Sequence, residues 1–382
     1  MRVGRLISAL AASFVLAGAA VAQAEPAPGS ADAATVNAGL QAMRDYNLIV
    51  LKDLKSSSEV EGRTFVGGNL SGGSSNYFIK PGGQTGVGLT VGGNVTGGTK
   101  QVNNGGALQV GGNLDSGANM NGGGSVYVDG NVKNVNANNG AVYVDGNVKN
   151  TNAKDIYYGG SKSGYANGTL HAGDHTAAGL QDSIEAQADA FAADLLGLSD
   201  YLSTLTPTNA IGYSADGQAA IFDAGSGSGV AVFSIDDLYA ALNHHSQLQF
   251  VAPTGYDAVI VNVAGSSVSL PGGINFNGPT GLGVNVIWNF YEATSVNFGS
   301  KSWYGSVLAP NANVKIGNFV EGSLVAKNLD QNGEVHMNNF GGGLVVGGLA
   351  AAAVPEPSVW LMLILGFGGV GAALRRRRAA AA

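Results

Sequence analysis

Five histidines and a scatter of carboxylates limit the chemistry open to this 382-residue chain. His171 and His175 stand four apart with Asp174 between them, the spacing that puts two imidazoles on one helix face for a metal ion. Gly173 weakens any helix there, so a solvated loop is the expectation. His244 and His245 fall at the expected end of a short helix, where an imidazole meets the helix dipole favourably. Glu334 and His336 share a strand face and could act as an acid–base pair or ligate a metal. With no second carboxylate or third ligand in the adjoining residues, a hydrogen-bonded pair closing a strand layer is expected instead. Asp129 and Asp145 could collect calcium, but they lack nonapeptide spacing and are expected to form turns. No catalytic residue, metal or cofactor is therefore assigned. The absence of cysteine excludes disulfides, zinc fingers, iron–sulfur ligation and thiol catalysis, without arguing against export.

The elements that must position these residues follow from composition and repeats. Glycine contributes 61 residues and proline 10, with 45% hydrophobic and 12% charged residues. Disordered chains are poor in apolar residues and rich in charge, so this one is expected to fold compactly around many tight turns. Short matches recur at a spacing that tightens along the chain: VGGNL from Val66, VGGNV from Val91, VGGNL from Val110, and VDGNV from Val128 and again from Val144. Self-similarity at this period, with β-branched alternation broken by glycine and asparagine, predicts a β-solenoid. Alternation puts Leu89, Val91, Leu108, Val110, Val126, Val128, Val142 and Val144 in the core, and Thr90, Gln109, Tyr127 and Tyr143 outside. Asn69, Asn94, Asn113, Asn131 and Asn147 are expected to form a structural ladder of stacked amides, with a glycan-binding row as the functional reading. Phe65, Tyr127 and Tyr143 are read as an exposed aromatic column able to face a sugar.

From about 178 to 205 the pattern changes. Leu180, Ile184, Ala188, Phe191, Leu195, Leu198, Leu202 and Leu205 form one stripe at helical spacing, stopped before Pro207. Such a helix is about 40 Å long, close to a stack of eight or nine strand layers, and should lie along the solenoid flank. A shorter helix is expected after Ser234, read as its N-cap with Asp237 three residues on. Strands are expected at 258–263, 283–290, 304–308, 314–316 and 324–326, closing or continuing the stack.

Both termini read as transport signals. Arg2 and Arg5, an apolar stretch and the small-residue site Ala22-Gln23-Ala24 predict a Sec-type signal peptide over residues 1–24. At the other end, Pro355-Glu356-Pro357 precedes an uncharged run from Val359 to Leu374 and the cluster Arg375, Arg376, Arg377 and Arg378. At about 24 Å that run is short for a bilayer core of about 30 Å, and the arginines would stay cytoplasmic. Residues 25–354 retain 13 basic and 25 acidic side chains, about −12, which disfavours nucleic acid. The expected division is 1–24 signal peptide, 25–44 N-terminal segment, 45–341 solenoid domain, 342–353 linker, 354–378 sorting signal and 379–382 tail.

The order Val-Pro-Glu-Pro, apolar helix, arginine cluster resembles the PEP-CTERM sorting signal, which implies processing by an exosortase in an exopolysaccharide-producing bacterium. Blocks from Asp45 to Asp53, Val60 to Arg63, Val66 to Asn69, Val261 to Val263, Ile287 to Phe290, Gly305 to Asn311, Glu321-Gly322 and Gly333 to His336 with Phe340 are similar to those of the choice-of-anchor A family. Lys52 departs from the small residue expected before Asp53. The resemblance spans about 45–341 and implies an adhesive β-helix domain, with collagen binding among some relatives, without naming a ligand. The expectation is a mainly β chain: a β-solenoid with one long flanking helix, a signal peptide and a C-terminal sorting helix. It would be a non-enzymatic, exported adhesin or matrix protein. Its partners would be the Sec machinery, an exosortase, transiently the inner membrane, and an exopolysaccharide or surface ligand. A carbohydrate-active β-helix enzyme is the alternative, and an ice-binding-like solenoid the third reading, against which the column Thr90, Gln109, Tyr127, Tyr143 offers no threonine-rich face.

Overall fold

The computed structural model describes residues 31–344 and Val346. The cleavage residues Ala22 and Ala24, the Pro355-Glu356-Pro357 motif and Arg375 to Arg378 lie outside the described residues. Among the described residues no helix is long and apolar enough to cross a membrane.

Short strands of alternating burial wind into a three-faced coil. In one layer, Val126–Val128 lies on the first face with its tyrosine outward. The chain then turns through Asp129, Gly130 and Asn131 onto Val132 and Lys133. A second corner at Asn134, with φ of 58°, leads to Val135, Asn136 and Ala137 on the third face. Asparagine suits this corner because it tolerates the left-handed region better than other side chains. The inward positions of successive layers stack into one core cluster, from Leu48, Val50 and Val66 to Val144 and Ile156. Because every strand pairing except that of Gly212–Tyr213 with Ala219–Phe222 is parallel, each inward side chain rests on its counterpart one layer away.

On the first face thirteen strands pair in a continuous column. Their order is Val230–Ile235, Ala258–Val263, Val286–Asn289, Ser306–Ile316, Leu324–Gln331, Leu48–Val50, Thr64–Val66, Val87–Val91, Ala107–Val110, Val126–Val128, Val132–Val144, Val148–Tyr158 and Lys162–Ala172. At about 4.8 Å per layer the column is about 58 Å long, longer than the expected eight or nine layers. The chain enters in mid-stack. The first half winds outward from Leu48 to Ala172, the long helix carries the chain back past its start, and the second half winds in until Leu324 pairs with Leu48. Asn47, fully buried, ties this seam: its side chain donates to the carbonyls of Gly322 and His336 (3.0 and 2.8 Å) and accepts from Gly62 N–H (3.0 Å).

Among the described residues three α-helices accompany the stack: α1 (Ala33–Asp45), α2 (Leu180–Ser203) and α3 (Leu238–Leu242). The long α2 lies along the first face, burying Ile184, Leu195, Leu198 and Leu202 against Ile49, Phe65, Leu308 and Val325. The buried amides of Asn289 and Asn262 donate to the carbonyls of Ser199 and Leu202 at 2.9 and 2.7 Å. With 24 residues α2 is about 36 Å long; it begins beside Asp129 and runs along the layers from Ala107–Val110 to Ala258–Val263. The segment before Leu48 is not a cap on either end of the stack but forms α1, packed across α2 where Gly39 meets Asp194 and Leu198. The expected N-cap Ser234 lies within a strand, and Asp237 caps α3 by accepting from Ala240 N–H at 2.9 Å. The expected strand at 283–290 is a 3-10 turn, Leu282–Val284, followed by Val286–Asn289.

Candidate binding surfaces on the solenoid

At the corner between the first and second faces, the side-chain oxygen of each ladder asparagine accepts from the backbone N–H of the next. The distances are 2.9 Å from Asn94 to Asn69, 2.9 Å from Asn113 to Asn94, 2.9 Å from Asn131 to Asn113 and 2.8 Å from Asn147 to Asn131. The row continues to Ser161 at one end, and through Asp53 and Asn328 to Asn313 at the other. All the oxygens from Asn69 to Asn147 are engaged by the corner backbone, so the row holds corners together and offers a ligand little acceptor capacity. Its extension through Asp53, Asn328 and Asn313 crosses the seam, where no repeat in sequence announces it.

The aromatic column is divided. Phe65 is fully buried, edge-on to Phe191 of α2 and Tyr46 with ring centroids 4.9 and 6.2 Å apart, so it does not face a ligand. The helix that buries it also covers Thr90 and Gln109 in the same outward column. Beyond the start of α2 the column reappears as Tyr127, Tyr143, Tyr157 and His171, stacked with centroids 4.9, 4.6 and 4.1 Å apart and planes within 9°. These rings occupy one another's faces and present edges outward, so a pyranose cannot lie flat on them one by one. Burial pushes the phenols of Tyr127 and Tyr143 above their ordinary range.

The histidines are paired rather than clustered. His171 lies on the last strand and contacts Asp155 at 3.1 Å, while His175, in the turn before α2, meets Asp145. His245 stacks on Tyr213 and contacts the Gly217 carbonyl at 2.8 Å; His244 has φ of 74° just past α3. His336 contacts Glu334 at 2.7 Å and stacks on Phe319. Nearby, burial pushes the Glu61 carboxyl up. Lys80 at 2.6 Å, Met337 N–H and the His336 charge outweigh this and hold it below its ordinary range. Among the described residues no group of three or more such side chains is placed to hold a metal ion. Asp129 has a different role: its carboxylate accepts from Gln181 N–H at 2.9 Å and caps α2, whose own N-cap, Gly179, has no side chain to do so.

Two other surfaces are built for contact. A shallow groove of about 570 Å³ on the second face crosses the seam. Asn297, Lys315, Asp330, Lys55 and Ser71 stand along it in register. The third face carries an unbroken outward row of amides over six layers: Asn76, Gln101, Asn119, Asn136, Asn152 and Asn167. Asn136 and Asn167 are exposed and the others half-buried. Asn152 donates to Asn136 at 3.2 Å, Asn76 to Glu59 at 2.9 Å, and Gln101 accepts from Asn121 at 3.1 Å. Most of the row's donors and acceptors have no hydrogen-bond partner among the described residues. Sequence reasoning missed this row. Its signal is an amide flanked by core positions that recurs nearly in phase with the VGGN repeat.

No curated protein and no solved structure shows significant similarity to the chain. The model of the ice-binding-like adhesive domain matches residues 39–132 and 106–337, a span that encloses the whole solenoid from the seam outward and back. A second model, the PEP-CTERM protein-sorting motif, matches residues 353–378. The chain thus belongs to the ice-binding-like adhesive domain family and ends in a PEP-CTERM sorting motif, which implies export, sorting to the cell surface and processing by an exosortase.

Proposed function

We propose that the protein is a non-enzymatic adhesin that holds a hydroxyl-rich polymer, an exopolysaccharide of the producing cell, along its third face. Secretion would run through the Sec route, with an inner-membrane intermediate released or anchored near Pro355. The six-layer amide row carries this reading. Each amide offers both donor and acceptor, and the row repeats every layer, about 4.8 Å, over about 24 Å, so a polymer of alternating hydroxyls meets equivalent partners at each step. The row carries no charge apart from Glu59 at one end, which suits a neutral or weakly acidic glycan better than a polyanion.

The test is binding of the full chain to exopolysaccharide from the producing cells, compared with Asn119→Ala/Asn136→Ala/Asn152→Ala. These side chains point outward, and circular dichroism checks that the fold persists. Affinity should drop at least tenfold, while Tyr143→Ala changes it less than twofold. Unaltered affinity of the triple variant would remove the amide row from the account. Release of reducing ends or unsaturated products would replace adhesion with catalysis. The family's ice-binding-like description makes ice the competing ligand for the same row, and an ice-affinity assay of the same variant separates the two.

A further inference from the structure

The two ends of the stack are built differently. At one end, the outer edge of Val230–Ile235 is covered: Val232 accepts from the backbone N–H groups of Thr208 and Asn209, and its own N–H donates to the Thr208 hydroxyl at 2.8 Å. On a neighbouring face, Ala219–Phe222 is closed by Gly212–Tyr213, which pairs with it antiparallel, the one such pairing among the described strands. At the other end the last strand, Lys162–Ala172, pairs with Val148–Tyr158 on its inner side and with no described strand on its outer side. It wraps all three faces over 11 residues, nine of them exposed.

This edge has few of the devices that keep sheet edges from pairing. It contains no proline, one charge at Lys162, and two of the four exposed large hydrophobics among the described residues, Tyr165 at 53% and Leu170 at 40%. Leu170 continues the core column above the fully buried Ile156, so the last layer of the core is itself exposed at this end. His171 closes the stack of rings with one face bare. The cap of α2 sits three layers back, at Asp129, and does not reach the edge.

We propose that this open end is a homophilic interface, where the Lys162–Ala172 strand of a second copy pairs antiparallel across a two-fold axis. Continuation by the opposite end of another copy is blocked, because that end is already covered. The remaining partner with a matching cross-section is the same edge. The strand is suited to self-pairing: its corner glycines, Gly164 (φ 66°) and Gly168 (φ 145°), flank Ala166 symmetrically. With the axis at Ala166, corner lies over corner, the first-face segment of one copy covers the second-face segment of the other, and each Leu170 packs on the stem of the second copy's Lys162. One strand layer is a small contact, at the low end of specific interfaces, so the dimer should dissociate on dilution. The interface is independent of the glycan reading.

Because the chain lacks cysteine, one introduced thiol can report the contact. The full chain carrying Ala166→Cys should give a disulfide-linked dimer under mild oxidant, while Thr96→Cys on the flank should not. Sedimentation of the unmodified chain should show a concentration-dependent dimer, and Leu170→Asp, at a position already exposed, should weaken it at least tenfold. A monomer persisting to several hundred micromolar, or cross-linking through Thr96→Cys but not Ala166→Cys, would overturn the proposal.

Discussion

Replacing Lys100 by methionine should stabilise the protein at neutral pH. Lys100 occupies an inward position between Ser75 and Ala118, its side chain is buried, and its ammonium donates to the Gly73 carbonyl at 2.7 Å. Burial pushes its pKa down from 10.5 to about 8. At about 1.4 kcal/mol per tenfold change in proton affinity, this corresponds to a penalty of about 3 kcal/mol below pH 8. The ammonium reaches the corner, where solvent screening reduces the penalty to about 1–3 kcal/mol. The unfolded chain keeps its proton up to 10.5 while the folded chain releases it from about 8, so stability rises with pH across that window. Tyr77, pushed up to about 12 by burial, acts oppositely, since its unfolded form ionises from 10 upward and lowers stability there. Tyr46, Tyr127, Tyr143 and Tyr291 are pushed up as well, so the lysine is read from the difference between wild type and Lys100→Met, in which the tyrosine contributions cancel. Urea unfolding followed by fluorescence of the buried Trp288 and Trp303 should show the wild type gaining stability, by about 1–2 kcal/mol, from pH 7 to 9.5. Lys100→Met should show no such gain, and its advantage of about 1–3 kcal/mol at pH 7 should fall by about half at 9.5. A destabilised variant, together with a wild type indifferent to pH in this range, would refute the reasoning and show that the hydrogen bond to Gly73 outweighs the cost of burying the charge.

Other substitutions test the seam and the helix cap. Asn47→Ala removes three hydrogen bonds of a buried side chain, two of which join the chain's first layer to its last, and should cost about 2–4 kcal/mol in urea unfolding. Asp129→Ala should cost about 1 kcal/mol and speed amide exchange in the first turn of α2, leaving the layers around Asn262 unaffected.

The sequence is most informative where the repeat is strict. The switch from VGGN to VDGN marks the end of the helix: a Cβ at Gly92 or Gly111 would press on Ile184 or Gln181, whereas Asp129 and Asp145 stand where α2 begins or is past. Alternation alone gave the inward columns, because parallel stacking keeps each residue over its counterpart. It could not reveal what covers the outward side, and so Phe65 read like Tyr143 although a helix far along the chain buries it. Nor could spacing show the mid-stack entry, because Leu48 pairs with Leu324, from the opposite end of the domain's sequence, through contacts that no local pattern encodes. The amide row was hidden for the opposite reason: its glycine-poor layers resemble ordinary alternation, and only the register aligns them.

The mid-stack seam also determines how the molecule would carry force. Val346, the last described residue, is held by Asn37 of α1 through two hydrogen bonds, beside the helical flank and not at an end of the stack. The sorting motif begins at residue 353, within about 25 Å of extended chain. A pull between this tether and a partner at the open end therefore runs through the layers from Leu48 to Ala172, whose inter-strand hydrogen bonds lie along the line of tension and on three faces at once. The layers built from residues 208–331 lie to the side of that line. They serve as a clamp that keeps the entry layer covered on both sides while the outer half is under strain.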